Sequence, residues 1–191
     1  MLAEVPLPPL VAAATARASQ AGFPMSCDPA VGRLLAVLAA HVPEGARVLE
    51  LGTGCGVGAA WIVSGLLPRR DVTVITVESD AGTAAVAAGG SWPSFVRLRR
   101  GDALEALAEA GTLDMIFADA PAGKWQGLDR SVAALGPHGL LVVDDMTPQP
   151  DWTDVHRAAT EGVRRALLSD PELTSAELPV GSGVILSVRG A

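Results

Sequence analysis

The chain contains no tyrosine and only two cysteines, Cys27 and Cys55. Two cysteines make no disulfide framework and lack zinc-site spacing, so both read as reduced thiols. Positive charge is sparse as well. Lys and Arg total 14 against 21 Asp and Glu, a formal net charge of −7, and no Lys/Arg run exceeds two residues. That excludes the phosphate-tracking footprint of a nucleic-acid binder and favours a small-molecule partner. No apolar run approaches the ~20 residues of a membrane span. The apolar N-terminus is broken by prolines at 6, 8 and 9 and lacks the basic start of a signal peptide. The expectation is a cytoplasmic protein with no membrane segment. His41, His138 and His156 show no ligand spacing, and the sequence assigns them no chemistry. What is abundant is apolar: 49% of the 191 residues are hydrophobic and 18% charged, enough to bury a substantial core. The length predicts one domain over 1–191, with an N-terminal helical segment over 1–44 and an α/β core over 45–191.

An alanine-rich helix is expected over 10–21. Asp28-Pro29 then reads as an N-cap followed by proline at the first helical position, opening a helix to about His41. Apolar strands follow near 46–51, 72–77, 95–98, 113–118 and 139–143, with helical stretches between them. A helix over 152–168 leads to a hairpin, 173–178 with 184–188, across Pro179 to Gly183. Strands alternating with helices predict a parallel, doubly wound sheet. Glu50, Glu78, Asp119 and Asp144 each end a strand, and ligands of such sheets bind beyond those strand ends. Acids collected along that edge point to a cationic ligand.

The densest signal runs from Arg47 to Gly58: a strand ending on Glu50, a turn with Gly52, Gly54, Gly56 and Gly58, then a helix start. Alternating glycines let a backbone take φ > 0 and approach a ligand closely, and the following helix directs its free N–H groups into the turn. Such a loop holds a nucleotide-like cofactor. Gly54-Cys55-Gly56-Val57-Gly58-Ala59 satisfies a loose dinucleotide fingerprint, so an NAD(P)-dependent oxidoreductase is an alternative. A carboxylate at Glu50 would repel a pyrophosphate, however, and no Tyr-x-x-x-Lys pair exists. S-adenosylmethionine carries a sulfonium and an ammonium and no phosphate, so there the acid is an asset.

The runs Leu49 to Gly56, Leu113 to Asp119, Leu141 to Asp145 and Leu178 to Val184 resemble the class I S-adenosylmethionine-dependent methyltransferases, and within them the small O-methyltransferases of the catechol and caffeoyl-CoA type. The resemblance covers the chain from about Met25. It implies a Rossmann-like, mostly parallel seven-stranded sheet with a C-terminal antiparallel hairpin. It also implies methyl transfer to a hydroxyl oxygen of a small acceptor, aromatic in those types, and homodimers are common among such relatives. By position, Glu50 with Gly52, Thr53, Gly54, Cys55, Gly56, Val57 and Gly58 would hold the methionine part. Glu78, with Ser79, would take the ribose hydroxyls, and Asp102 with Ala103 the adenine. Backbone near Met25 to Cys27 would cover the methionine end.

The same resemblance places a metal site at Asp119, Asp144 and Asp145, whose oxygens suit Mg²⁺. Asp145 stands where the family has asparagine. The family lysine follows the strand-four aspartate by three residues, whereas Lys124 follows Asp119 by five. Lys124 and Asp119 are the candidate catalytic residues, and Asp119 is a candidate cofactor contact as well. Trp125 and Trp152 are candidates for an aromatic wall. The departures leave a metal-independent methyltransferase and a non-catalytic cofactor-binding protein as alternatives. A nucleic-acid or protein methylator is disfavoured, because Asp119-Ala120-Pro121-Ala122 lacks the Pro-Pro-aromatic sequence of many amino-group methylators.

Overall fold

Asp28 caps a helix as its place before Pro29 predicts: its Oδ1 accepts from the Ala30 N–H at 2.7 Å and the Val31 N–H at 3.4 Å. That helix, α2 (Pro29–His41), follows α1 (Pro9–Gln20) in a computed structural model that describes residues 5–191. Residues 1–4 of the expected N-terminal segment lie outside the described residues. The remaining order is β1 (Arg47–Leu51), α3 (Val57–Leu66), β2 (Thr73–Glu78), α4 (Ala81–Ala88), β3 (Val96–Arg100), α5 (Ala103–Glu109), β4 (Leu113–Ala118), α6 (Leu128–Ala134), β5 (Leu135–Val143), α7 (Asp154–Ser169), β6 (Leu173–Leu178) and β7 (Val184–Arg189).

The strands form one seven-stranded sheet in the order β3-β2-β1-β4-β5-β7-β6. Pairing is parallel from β3 through β5, and β7 then runs antiparallel to both β5 and β6. The expected hairpin is therefore present, with β7 inserted beside β5 and β6 at the edge. The strand order reverses between β1 and β4, which opens a crevice above their carboxyl ends.

Both faces of the sheet are covered, which is why its central strands are apolar on both sides. Val48 packs with α1, α2 and α3 residues such as Val11, Leu35 and Ile62. Leu49 and Leu51 point the other way, toward Leu107, Val163 and Leu167 of α5 and α7. Glu50 shares the face of Val48 and therefore looks toward α3. Helices α2 and α3 approach very closely at two glycines. A Cβ on Gly65 would overlap the Ala36 carbonyl, and one on Gly32 would overlap the Trp61 ring.

Strand five starts earlier than the expected 139–143. Leu135 already pairs with Leu113, and Gly136 to Gly139 is then accommodated by a register shift before Met115 meets Leu140. His138 in that segment has φ 61°, so the Pro-Gly punctuation marks a bulge inside the strand rather than its beginning. Among the described residues, no helix is long and apolar enough to cross a membrane.

Candidate active site

Glu50 lies in register with Thr76 of β2, and this pairing builds the floor of the crevice. The Thr76 hydroxyl donates to Glu50 Oε2, while Oε1 is buried with no partner against the Cα of Gly58. Burial raises the Glu50 carboxyl to about 8; the Thr76 hydrogen bond opposes the rise and the neighbouring Glu78 charge adds to it. The turn above is folded over β2, with the Gly52 and Thr53 N–H groups both donating to the Val77 carbonyl at 3.0 Å. Gly52 has φ 98°, and a Cβ there would stand 2.7 Å from the Asp119 carbonyl oxygen, so the turn lies tight on the end of β4. The Phe23 ring covers Gly54 from the N-terminal side.

Glu78 is held by the turn it faces: Oε2 accepts from the Gly54 N–H and Oε1 from the Asp80 N–H, each at 2.9 Å. Asp102 caps α5, its Oδ1 accepting from Leu104 at 2.8 Å and Glu105 at 3.0 Å. These residues, with Ser79, Ala103, Thr53, Cys55, Val57 and Gly58, face a single cavity of about 920 Å³. Met25 lies at its mouth, 74% exposed, and Cys27 lies inside. The Cys27 thiol is pushed far up, first by burial and then by the charges of Asp119, Asp144 and Glu50, so it remains a neutral thiol. Gly56 does not line the cavity. Its Cα faces Trp92 and Ala87, and its role is the left-handed N-cap of α3, at φ 90°.

Asp119, Asp144 and Asp145 come together at the other end of the cavity, with one carboxylate oxygen from each within 4.8 Å of the others. Burial, and then the charges of Asp144 and Asp145, raise Asp119 well above the usual carboxylate range, with Lys124 opposing. Asp144 is also raised by burial, against hydrogen bonds to its Oδ1 from the Ser182 hydroxyl and the Asp145 N–H. Asp145 has φ 57°, a left-handed conformation that aspartate and asparagine tolerate best among residues with a side chain.

Lys124, the only lysine in the chain, is 2% exposed and points into this acid cluster. Its Nζ donates to the Asp144 carbonyl at 3.1 Å and lies 3.4 Å from Asp145 Oδ2. A tight loop absorbs the longer spacing after Asp119. The Pro121 carbonyl accepts from Trp125 and Gln126 at 2.8 and 3.0 Å, and the Ser131 hydroxyl donates to the Gly123 carbonyl at 2.8 Å. Next to Lys124, Trp125 and His156 form part of the wall of the same cavity. Trp152 packs behind His156 and is not among the lining residues.

Thr76, Ser182, Phe23 and His156 are site residues that the sequence reading did not single out. Thr76 alone left a trace, as a polar residue inside the otherwise apolar run Val74-Ile75-Thr76-Val77. The others arrive from distant elements.

The architecture and cavity have counterparts. A family model described as a methyltransferase domain matches residues 49–146. A Mycobacterium sp. (strain JLS) protein named as an O-methyltransferase is 34% identical over 191 residues, covering 94% of this chain and 86% of that one. A Klebsiella pneumoniae protein described as an O-methyltransferase superposes with a TM-score of 0.81 at 26% identity, covering 99% of this chain and 93% of that one. The fold is shared by a Bacillus cereus O-methyltransferase in complex with S-adenosylhomocysteine, at a TM-score of 0.83 and 21% identity, over 98% and 93% of the two chains. The chain belongs to the class I S-adenosylmethionine-dependent O-methyltransferases.

Proposed function

We propose that this chain methylates a hydroxyl of a small planar acceptor, with the cofactor lying along the glycine turn and the acceptor between Lys124 and the aromatic wall. The observation that carries the reading is the continuity of one cavity from Glu50 and the turn to Lys124, Trp125 and the three aspartates. Cofactor residues fit their roles. The unpartnered Glu50 Oε1 beneath a turn whose glycines leave no room for a Cβ suits a cationic methionine moiety, and Glu78 and Asp102 each keep acceptor capacity for the ribose and the adenine. The net negative chain supports a small molecule rather than a nucleic acid as acceptor.

Methyl transfer needs the acceptor oxygen in line with the sulfonium methyl at ~3 Å, and deprotonated. Lys124 Nζ, beside Asp145 and the Asp144 carbonyl, is the group placed to relay the hydroxyl proton to these acids and to hold the oxyanion that forms. Asp119, at the end of β4 and touching both the turn and the acid cluster, sets the position of cofactor and acceptor relative to each other. Asp119, Asp144 and Asp145 form an oxygen-only donor set compact enough for Mg²⁺. When bound, such an ion lowers the pKa of a coordinated hydroxyl. Metal-independent transfer is the second reading, and it rests on Lys124 Nζ, a cation already placed at Asp145 and the Asp144 carbonyl.

The test is calorimetric titration of S-adenosylhomocysteine with and without Mg²⁺, followed by methyl transfer to a panel of phenols. Micromolar binding with turnover of a phenol supports the reading, and a separate Mg²⁺ heat supports its metal-assisted form. Cofactor binding without transfer to any small hydroxyl compound rejects the acceptor assignment.

A further inference from the structure

Thr76 carries a hydroxyl in an inner strand of the sheet, fully buried within the run Val74-Ile75-Thr76-Val77. A buried hydroxyl is costly unless it is hydrogen-bonded, and this one is bonded twice. The β1–β2 register sets Thr76 directly beside Glu50, whose Oε2 accepts from it. Its Oγ1 also lies 2.5 Å from Thr53 Oγ1, in the glycine turn. A hydroxyl has a single proton to donate. Thr76 gives its own to Glu50, so Thr53 is the donor of the second bond. The two hydroxyls form a chain that runs from the turn to the carboxylate.

Among the described residues, Thr76 is the hydrogen-bond partner of the Glu50 carboxylate, and nothing else approaches it with a donor. The β4 neighbour at that level is Phe117, and α3 presents Gly58, against which Oε1 is buried and unpartnered. With Oε2 held on Thr76, the carboxylate cannot rotate without breaking that bond. Oε1 therefore stays under the first turn of α3, beside the cavity that Glu50 lines. The same strand grips the turn at a second point, because the Val77 carbonyl accepts from the Gly52 and Thr53 N–H groups at 3.0 Å. Thr53 is thus tied to β2 by both backbone and side chain.

Thr76 itself does not line the cavity, whereas Glu50 and Thr53 do. We infer that Thr76 is a positioning residue for the methionine end of the cofactor, its hydroxyl holding the Glu50 carboxylate and, through Thr53, the glycine turn in one arrangement. This rests on the placement of the cofactor along that turn given above. The chain also acts on charge. Burial raises the Glu50 carboxyl, the Thr76 hydrogen bond opposes the rise by favouring the ionised form, and the Glu78 charge on β2 adds to it. The other groups that feel the Glu50 charge are Asp119, after β4, and Cys27, before α2, while α3 carries no titratable side chain. Without the Thr76 hydroxyl, Glu50 keeps its proton to higher pH, and the cofactor's ammonium meets a neutral acid.

The experiment measures S-adenosylhomocysteine binding by calorimetry from pH 6 to pH 9. It compares wild type, Thr76→Val, Thr76→Ser, and Thr76→Val in the Glu50→Gln background. Valine keeps the branched shape and removes the hydroxyl, whereas serine keeps the hydroxyl. Thr76→Val is expected to lose roughly tenfold or more in affinity at pH 7, and the loss should shrink as pH rises toward 9. Thr76→Ser should stay within about threefold of wild type throughout. In the Glu50→Gln background, Thr76→Val should cost less than about twofold, because the charge through which the hydroxyl acts is gone. A Thr76→Val protein with a wild-type thermal melt and wild-type affinity would overturn the inference. So would a loss that is equal at every pH and persists in full without Glu50, which would mark Thr76 as a packing residue only. Should Thr76→Val unfold, Thr53→Val breaks the same chain from its other end, and a pH-independent effect there would overturn the inference equally. Failure of the wild-type protein to bind S-adenosylhomocysteine would instead reject the underlying placement of the cofactor.

Discussion

Replacing Glu50 by glutamine should make the ligand-free protein more resistant to alkaline pH, although it removes a site residue. In the folded chain the Glu50 carboxyl is raised from its ordinary 4.5 to about 8, chiefly by burial. The folded state therefore binds a proton that the unfolded state has already released throughout that interval. Stability must then fall as pH rises from about 4.5 to about 8 and level off above. At about 1.4 kcal/mol for each tenfold change in proton affinity, the total is on the order of 5 kcal/mol. Glutamine cannot ionise, and its carbonyl can still accept from Thr76. Its amide N–H groups face Gly58 without an acceptor, at a cost of ~1–3 kcal/mol that does not depend on pH. The informative quantity is therefore the slope. Urea unfolding from pH 5 to pH 9 should show the stability of Glu50→Gln gaining on wild type as pH rises, by a few kcal/mol across the range. Asp119 and Asp144 titrate in both proteins and largely cancel. Parallel stability curves would refute the claim that a buried, proton-hungry Glu50 lies under the turn.

Other substitutions probe different parts of the argument. Gly65→Ala should destabilise by roughly 1–3 kcal/mol, about 2–4 °C in Tm per kcal/mol, because the added Cβ meets the Ala36 backbone. Gly162→Ala, in α7 with nothing within 4 Å of the added Cβ, should instead stabilise by about 0.5–1 kcal/mol. Equal effects of these two in thermal melts would contradict the described α2–α3 contact. Lys124→Met should lower kcat by roughly 10²-fold or more while leaving S-adenosylhomocysteine affinity within about twofold, as measured by turnover and calorimetry. Full turnover in that variant would remove Lys124 from the chemistry. Asp144→Asn keeps an acceptor for Ser182 and removes a charge, so any calorimetric Mg²⁺ affinity should fall by about tenfold or more; an unchanged heat would assign the ion elsewhere.

Local chemistry alone determined much of this protein. The Asp28-Pro29 cap, the alternation of apolar strands with helices, the glycine turn after Glu50 and the acids at strand ends are all signals read within a few residues, because hydrogen bonding and side-chain periodicity act at that range. Such signals also placed Glu78, Asp119 and the paired aspartates Asp144 and Asp145 at one edge of the sheet. The resemblance to a known family added the strand count and the roles.

Tertiary structure decided what touches what. The reversal of strand order between β1 and β4 makes the crevice, and the β1–β2 register sets Thr76 against Glu50. Ser182 reaches Asp144 across 38 residues of chain only because β7 inserts beside β5. Lys124 enters the acid cluster through the fold of its loop, which no spacing rule foretells. Gly56, one more glycine in the motif, turns out to face Trp92 rather than the cavity. His156 carried no signal in its own neighbourhood, because its importance comes from two tryptophans that packing, rather than sequence proximity, brings to it.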